Sequence, residues 1–249
     1  MAIRTVTSPI RTDAHLTDAS GACDLIAATI HDRHLLPLAV VPATLDHYPT
    51  ASPAGGIRHL TLVDDGPMTS RARRAAGADW PRWDGSDLIG GVLDRASAQR
   101  WRVAVVGGTP DMRETLHRRV MAGWPGVALI GHWTPTPEQV SSPGASAEIA
   151  EQLRHTDTDL VIVCVDRASQ EPWIETFGEA TGARVLLAAD TVMDFLTGRV
   201  VRVPRWVGRA GLDKMWRLML EPKRSATRGL IEEPQASLAD RRSSAHHDA

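Results

Sequence analysis

The hydrophobic residues of this chain fall into short continuous runs, and longer segments of helical period lie before and between these runs. Continuous apolar runs of strand length are typical of strands covered on both faces, as in a parallel sheet. Six such runs predict strands, at 35–41, 57–63, 102–106, 126–130, 160–165 and 183–188. Six periodic segments predict helices, at 22–32, 68–76, 86–99, 111–122, 145–155 and 170–181. This alternation predicts right-handed βαβ units, and therefore an α/β fold with a Rossmann-like, doubly wound, mostly parallel sheet.

The composition changes along the chain and predicts three parts. We expect a core at 1–198, a short basic helical appendage at 199–228 and a polar, disordered tail at 229–249. In the appendage nine basic residues accompany only two acidic ones, and apolar residues recur at near-helical spacing. Such a helix can pack on the core, lie on an anionic membrane surface or close over a diphosphate, and the pattern leaves these three open. The polar segment 134–146 contains prolines and predicts an exposed loop, with a mobile flap as the alternative.

Composition and charge narrow the class of protein. The 249 residues are 43% hydrophobic, which excludes wholesale disorder, and the formal net charge of −2 argues against a general nucleic-acid-binding protein. No apolar stretch reaches the roughly 20 residues that a membrane span needs, and the first residues contain no apolar signal segment. Cys23 and Cys164 are far apart in sequence and form no Cys-x-x-Cys motif, so we expect no disulfide framework and no structural zinc site. These features favour a cytoplasmic protein.

Ligands of doubly wound sheets bind beyond the carboxyl ends of the strands, so the segments that follow the predicted strands are the candidates for chemistry. Asp65 follows the second strand and has the residue type of a general base, although it could instead cap the next helix. Gly107 and Gly108 follow the third strand and precede a helix, which suits either a bound phosphate or an ordinary tight turn. The chain has no GxGxxG and no P-loop motif. His132, after the fourth strand, is interpreted as a loop histidine, with a role as a ligand as the alternative. Polar residues follow the first and fifth strands, among them Thr44, Asp46, Asp166, Arg167 and Gln170.

Several short motifs, in order between residues 35 and 228, resemble those of the WecG/TagA/CpsF glycosyltransferase family. They are Asp65-Gly66, Gly85-Ser86-Asp87-Leu88, the Gly107-Gly108-Thr109-Pro110 loop, Ile130-Gly131-His132, Gln170-Glu171, Trp173-Ile174, Asp194-Phe195, Arg202-Val203-Pro204-Arg205-Trp206 and Glu221-Pro222-Lys223-Arg224. The resemblance implies a bacterial, inverting and metal-independent glycosyltransferase with no cofactor. Members of that family move an N-acetylated aminosugar from UDP to a polyprenyl-diphosphate-linked sugar at the membrane face.

The same resemblance implies roles for individual residues. Asp65 would be the general base that deprotonates the acceptor. Contacts with the donor sugar or the acceptor are expected from Thr44, Asp46, Gln170 and Asp194. Contacts with the nucleotide and its diphosphate are expected from Gly107, Gly108, Thr109, Asp166, Arg167, Asp190, Arg202, Arg217 and Arg224. Arginine and backbone amides would take the place of a metal ion at the leaving diphosphate.

Three positions depart from the family pattern and affect the expected substrate. Asp46 stands where the family has asparagine, and Asp166 and Asp190 lie in two loops where the family has glycine. A loop that holds a phosphate with bare backbone does not easily accept such side chains. We therefore expect a nucleotide-diphosphate sugar donor and a small soluble acceptor, as in natural-product (antibiotic) biosynthesis. The alternatives are the family's lipid-linked acceptor in cell-wall or capsule assembly, and a nucleotide-sugar-binding protein without catalysis.

Three expectations concern partners and place in the cell. We expect a homo-oligomer that does not bind nucleic acid. The basic appendage at 199–228 could bring it into peripheral contact with the inner face of the membrane.

Overall fold

The computed structural model describes residues 4–7, 13–16, 19–43, 56–63 and 85–189, all within the first of two units, Met1–Val200 and Val201–Ala249. The described strands are β1 (Arg4–Thr7), β2 (Asp13–Leu16), β3 (Leu38–Ala43), β4 (Arg58–Val63), β5 (Arg102–Gly107), β6 (Ala128–Trp133), β7 (Leu160–Cys164) and β8 (Val185–Ala188). The described α-helices are α1 (Ala19–His31), α2 (Gly85–Gln99), α3 (Arg113–Gly123), α4 (Pro137–Ser141), α5 (Pro143–Arg154) and α6 (Arg167–Phe177). Short 3-10 turns lie at Pro110–Met112 and Glu179–Thr181.

Six of the strands form one parallel sheet, in the order β4-β3-β8-β7-β5-β6. All six strands predicted from the apolar runs are present, with ends displaced by up to three residues, and the doubly wound α/β fold is confirmed. Every residue of β7 and β8 is buried, because these strands lie in the middle of the sheet with both faces covered. β1 and β2 form a separate antiparallel pair, which was not predicted because neither strand contains an apolar run.

Helices cover both faces of the sheet. On one face α1, α2 and α3 pack against a core that includes Val103 and Val105 of β5. On the other face α5 and α6 pack against a core that includes Ala104 and Val106. The chain moves outward from β5 to the edge strand β6 through α3, and returns to β7 and β8 through α5 and α6. β5 and β7 are therefore neighbours whose following connections leave in opposite directions, and at such a switch point doubly wound sheets bind their ligands.

The prediction of a loop at 134–146 is wrong, because most of this segment is helical. α4 occupies Pro137–Ser141, and α5 begins directly afterwards at Pro143. The side chain of Thr136 accepts a hydrogen bond from the Gln139 backbone, and the Gln139 side chain accepts one from the Thr136 backbone. The polar residues and prolines of the segment are thus helix caps and first-turn residues, as in a capping box.

Two other predicted helices are present with different ends. The helix predicted at 111–122 is a 3-10 turn that continues into α3, and the helix predicted at 170–181 begins earlier and ends in the 3-10 turn Glu179–Thr181. The helix predicted at 68–76 lies outside the described residues, as do the expected boundary at 198/199 and the tail at 229–249.

At the amino end of the sheet, Arg184 connects α1 to the start of β8. Its guanidinium group donates hydrogen bonds to the carbonyl oxygens of Thr29, Asp32 and Leu35, at distances between 2.6 and 3.1 Å. Carbonyl groups at the end of a helix lack helical partners, so a cation there stabilises the helix end. Arg58 donates to the Thr29 hydroxyl at 2.8 Å, and burial together with the charge of Arg184 lowers the pKa of Arg58. This cluster stabilises the end of the sheet where the strands begin, opposite to the carboxyl ends of the strands where ligands bind.

Candidate functional site

The end of β5 lies against the end of β7 with no space for a side chain between them. Gly107, the last residue of β5, is paired with Cys164, the last residue of β7. A Cβ atom on Gly107 would overlap the carbonyl group of Cys164 and would lie 2.7 Å from the backbone nitrogen of Val165. Gly107 and Gly108 have φ values of +119° and +74°. Position 107 therefore requires glycine, both for its backbone conformation and because neighbouring backbone fills the space.

After Gly108 the chain turns into the 3-10 turn at Pro110–Met112 and then into α3. The carbonyl oxygen of Thr109 accepts a hydrogen bond from the N–H of Met112 at 3.0 Å. The Thr109 hydroxyl donates to the carboxylate of Asp111. Positive φ values just before a helix begins are typical of loops that present backbone N–H groups to an anion. We therefore expect Thr109 to contact an anion through its backbone N–H, because its hydroxyl proton is engaged by Asp111.

His132 of β6 contacts the Gly107–Gly108 loop from the side of β5 opposite to β7. It lies in a strand and is not the loop histidine that the sequence predicted. A bulge at Ile130, which has no partner on β5, sets the register of the strand just before His132. Nε2 of His132 lies 2.7 Å from the carbonyl oxygen of Gly107. Because a carbonyl oxygen only accepts hydrogen bonds, Nε2 carries the proton and Nδ1 is an acceptor. Nδ1 is buried and has no hydrogen-bond partner in the described part of the chain.

The surroundings of His132 favour its neutral form. Burial lowers the pKa of His132, the bond to the Gly107 carbonyl partly offsets this, and the positive charge of Arg113 lowers the pKa further. Arg113 is the first residue of α3, and its Nη2 donates to the carbonyl oxygen of His132 at 3.2 Å. These surroundings favour the neutral imidazole, whose single N–H points at Gly107.

Gln170 organises the segment that follows β7. It is 3% exposed, and its Nε2 donates to the carbonyl oxygen of Val165 at 2.8 Å. Val165 is also the residue whose backbone nitrogen lies against Gly107, so the loops after β5 and β7 stabilise each other. Asp166 occupies the N-cap position of α6, where its side chain makes no capping hydrogen bond. Arg167 is the first residue of the helix, and both residues are exposed at this edge of the sheet. The amide N–H of Gln170 thus supports the loop, while the charged side chains of Asp166 and Arg167 face solvent.

Similarity to a known protein family extends over most of the chain. The sequence model of the glycosyl transferase WecG/TagA/CpsF family matches residues 14–245. The chain belongs to this family. One of its relatives is the N-acetylglucosaminyldiphosphoundecaprenol N-acetyl-beta-D-mannosaminyltransferase of Bacillus subtilis (strain 168), which is 23% identical over 143 residues. The match covers 56% of this chain and 52% of the relative, so this chain spans about half the length of the Bacillus protein.

The described residues contain only part of the site that membership of the WecG/TagA/CpsF family leads us to expect. The structure brings six of the predicted residues together at the ends of the neighbouring strands β5 and β7: Gly107, Gly108, Thr109, Asp166, Arg167 and Gln170. Eight others lie outside the described residues: Thr44, Asp46, Asp65, Asp190, Asp194, Arg202, Arg217 and Arg224. The binding and catalytic roles of all fourteen residues therefore stay predictions.

The sequence analysis missed two contributors to this edge of the sheet. His132 was interpreted as a loop residue, because nothing in the sequence indicated the bulge that sets the register of β6 before it. Arg113 was not considered, although its position directly after the Pro110–Met112 turn was a usable signal: basic residues at the start of a helix are unfavourable unless they have a partner. Here the partner is the carbonyl oxygen of His132.

The described residues contain neither a cluster of metal ligands nor a helix that could span a membrane. No group of three His, Cys, Asp or Glu side chains in those ranges lies close enough to bind a metal ion. Among the helices of the same ranges, none combines the length and the apolar character needed to cross a bilayer.

Proposed function

We propose that this chain is an inverting, metal-independent glycosyltransferase that moves an N-acetylated hexosamine from a nucleotide-diphosphate donor to a polyprenyl-diphosphate-linked sugar. Membership of the WecG/TagA/CpsF family supports the reaction class. The name of the Bacillus relative supports the lipid-linked acceptor. The small soluble acceptor expected from the altered loops, and with it a role in antibiotic biosynthesis, has no support in these comparisons, so we adopt the alternative.

The observation that carries the donor part of the proposal is the Gly107–Gly108 loop at the switch point. The two positive φ values and the backbone packed against Gly107 require glycine in this loop. No side chain therefore lies between the end of β5 and a ligand. Backbone N–H groups at the start of a helix are suited to diphosphate oxygens, and the exposed guanidinium of Arg167 can add a forked contact. We assign the diphosphate to this loop.

The acceptor part of the proposal rests on Asp65. As its carboxylate takes the proton of the acceptor hydroxyl, the acceptor oxygen bonds to the anomeric carbon from the face opposite the diphosphate. The bond between that carbon and the diphosphate oxygen breaks with inversion, and the nucleoside diphosphate leaves with both bonding electrons. Arg202, Arg217 and Arg224 are proposed to neutralise the leaving diphosphate together with the loop amides.

Donor binding is tested first, with UDP, GDP and dTDP in separate thermal-shift titrations of the full chain. We expect one of them, most simply UDP, to raise the melting temperature. At 100 times its Kd a ligand stabilises by about 2.7 kcal/mol, which is roughly 5–10 °C for a domain of this size. If all three leave the melting temperature unchanged, the proposed function is wrong.

Turnover is tested with UDP-N-acetylmannosamine and two acceptors, a synthetic polyprenyl-diphosphate-N-acetylglucosamine and free N-acetylglucosamine. We expect transfer to the lipid-linked acceptor only, and equal transfer to the free sugar would restore the small-acceptor hypothesis. Asp65→Asn should keep donor binding and lower turnover by about 10²–10⁴-fold, the usual contribution of a general base. Asp64→Asn, one residue earlier, is the matched control and should retain near-normal turnover.

The same assay addresses the third alternative, a nucleotide-sugar-binding protein without catalysis. Donor binding without transfer to either acceptor would favour it.

Flotation of the full chain with anionic and with neutral vesicles tests the proposed peripheral membrane contact of 199–228, for which we expect binding to the anionic vesicles only. Analytical ultracentrifugation tests the expected homo-oligomer.

A further inference from the structure

The bond between His132 and Gly107 does more than join two strands, because of what it does to the next residue. The carbonyl group of Gly107 and the N–H group of Gly108 belong to one peptide unit, which is planar and trans. In such a unit the N–H points opposite to the carbonyl group. A hydrogen bond that holds the Gly107 oxygen toward the imidazole therefore turns the Gly108 N–H away from the imidazole.

We propose that His132 is a positioning residue for the donor: by holding the Gly107 carbonyl, it keeps the Gly108 N–H directed away from β6, toward the carboxyl ends of β5 and β7. β6 and β7 lie on opposite sides of β5, so the direction away from His132 is the direction of the switch point. The proposal rests on the proposed function, since it takes the Gly107–Gly108 loop to bind the diphosphate.

The loop needs such a restraint because two consecutive glycines have more accessible backbone conformations than any other pair. The packing of Gly107 against Cys164 and Val165 restrains the α carbon at 107, but the Gly107–Gly108 peptide unit extends beyond it. A rotation of that unit would exchange the directions of its oxygen and its N–H, and would turn an acceptor toward the anion. The His132 bond opposes this rotation.

His132 can act in this way because its own position is held from three sides. Its carbonyl oxygen accepts a hydrogen bond from Arg113 of α3. The preceding residue, Gly131, has no side chain, and a Cβ there would overlap the indole ring of Trp133. The Trp133 Nε1 in turn donates to the Gln152 side chain of α5 at 2.8 Å. The imidazole thus extends from a strand end that is anchored to helices on both faces of the sheet.

The first test needs no ligand. In ¹⁵N-labelled wild-type protein, the imidazole nitrogens of His132 should show the tautomer with the proton on Nε2 at pH 7. A proton on Nδ1 would overturn the proposal, because Nε2 could not then donate to Gly107.

The second test compares the Kd of a nucleoside diphosphate with the Kd of its nucleoside. If the wild-type chain binds UDP, the two ligands are UDP and uridine. Otherwise they are the diphosphate identified by the thermal-shift titrations and its nucleoside. His132→Phe keeps a ring but removes the donor, and we expect Kd for the diphosphate to rise about tenfold or more, the worth of one charge-assisted hydrogen bond. Kd for the nucleoside should change less than about twofold, because the nucleoside has no phosphate to contact the loop. His132→Gln can place an amide N–H where Nε2 lies, and should bring Kd for the diphosphate back to within about threefold of wild type. His117→Gln, an exposed histidine on α3, is the control for loss of a histidine.

The outcomes separate this inference from the proposed function. If the wild-type chain binds no nucleoside diphosphate, the proposed function fails. If the wild-type chain binds one and His132→Phe binds it equally well, only the role of His132 is refuted. An equal loss of diphosphate and nucleoside binding in His132→Phe would also refute it, since that indicates a general structural defect. If His132→Phe does not fold, the tautomer measurement and His132→Gln still decide.

Discussion

Gly107 combines two physical constraints, a positive φ and backbone atoms packed against its α carbon, and neither Gly182 nor Gly144 has both. Its φ of +119° is strained for any residue with a Cβ, and that Cβ would overlap the carbonyl of Cys164. Gly182 has a φ of +69°, but a Cβ there would make only ordinary contacts, the nearest at 3.4 Å from Cγ of Arg154. Gly144, in the first turn of α5, has open space around its Cβ position. Alanine at these three positions therefore separates backbone strain from steric overlap.

The expected effect of Gly107→Ala is a loss of about 3 kcal/mol in the free energy of unfolding. The unfavourable φ costs about 1–3 kcal/mol. The overlap involves backbone of two paired strands, which cannot rotate away, and adds about 1–3 kcal/mol of overpacking. The smaller entropy of the unfolded alanine variant returns about 0.4–1 kcal/mol. For a chain of this length the melting temperature should fall by about 6–12 °C.

The two controls have different expected values. Gly182→Ala should cost about 1–2 kcal/mol, because only the left-handed conformation is strained. Gly144→Ala should raise stability by about 0.5–1 kcal/mol, because alanine is the better helix former and meets no neighbour. Urea titrations of the four proteins, followed by circular dichroism, give the values directly. If Gly107→Ala is no less stable than Gly182→Ala, the close approach of β5 and β7 at Gly107 is wrong, and with it the argument that backbone fills this position.

Three further predictions concern stability. Arg184→Met should lower the free energy of unfolding by about 2–3 kcal/mol, because three carbonyl groups lose a charged donor. Arg118→Met, which removes only an exposed ion pair at 3.7 Å, should cost less than about 0.5 kcal/mol in the same urea titration, and equal losses would contradict the first value. Thr136→Ala removes the cap of α4 and should cost about 1 kcal/mol by thermal melting, with no change expected if that segment were a loop. The lowered pKa of His132 means that the unfolded chain binds a proton that the folded chain resists, so unfolding free energy should decrease as pH falls below the ordinary value of 6.5. The decrease between pH 7.5 and pH 5.5 should be smaller in His132→Gln, and an unchanged decrease would show that His132 does not contribute.

Local sequence patterns were sufficient for the elements of the core and for part of the site. The apolar runs predicted all six strands of the parallel sheet, and the glycines at 107 and 108 marked the loop where the chain turns from β5 toward α3. The failure at 134–146 was also local: Thr136, Pro137 and Gln139 are capping signals that the sequence contains, and their polarity was taken for that of a loop.

The contacts that make the site depend on the order of the strands, which no local pattern contains. The sequence by itself determined which segments are buried, where glycine interrupts them and to which family their motifs belong. Only the tertiary structure placed β7 next to β5 and β6 on its other side, which brings Val165 against Gly107 and His132 within a hydrogen bond of its carbonyl. It also showed that the amide of Gln170 is turned inward to the loop. The physical reason is that hydrophobic periodicity reports burial residue by residue, whereas the pairing of strands and the direction of a polar side chain are set by partners distant in sequence.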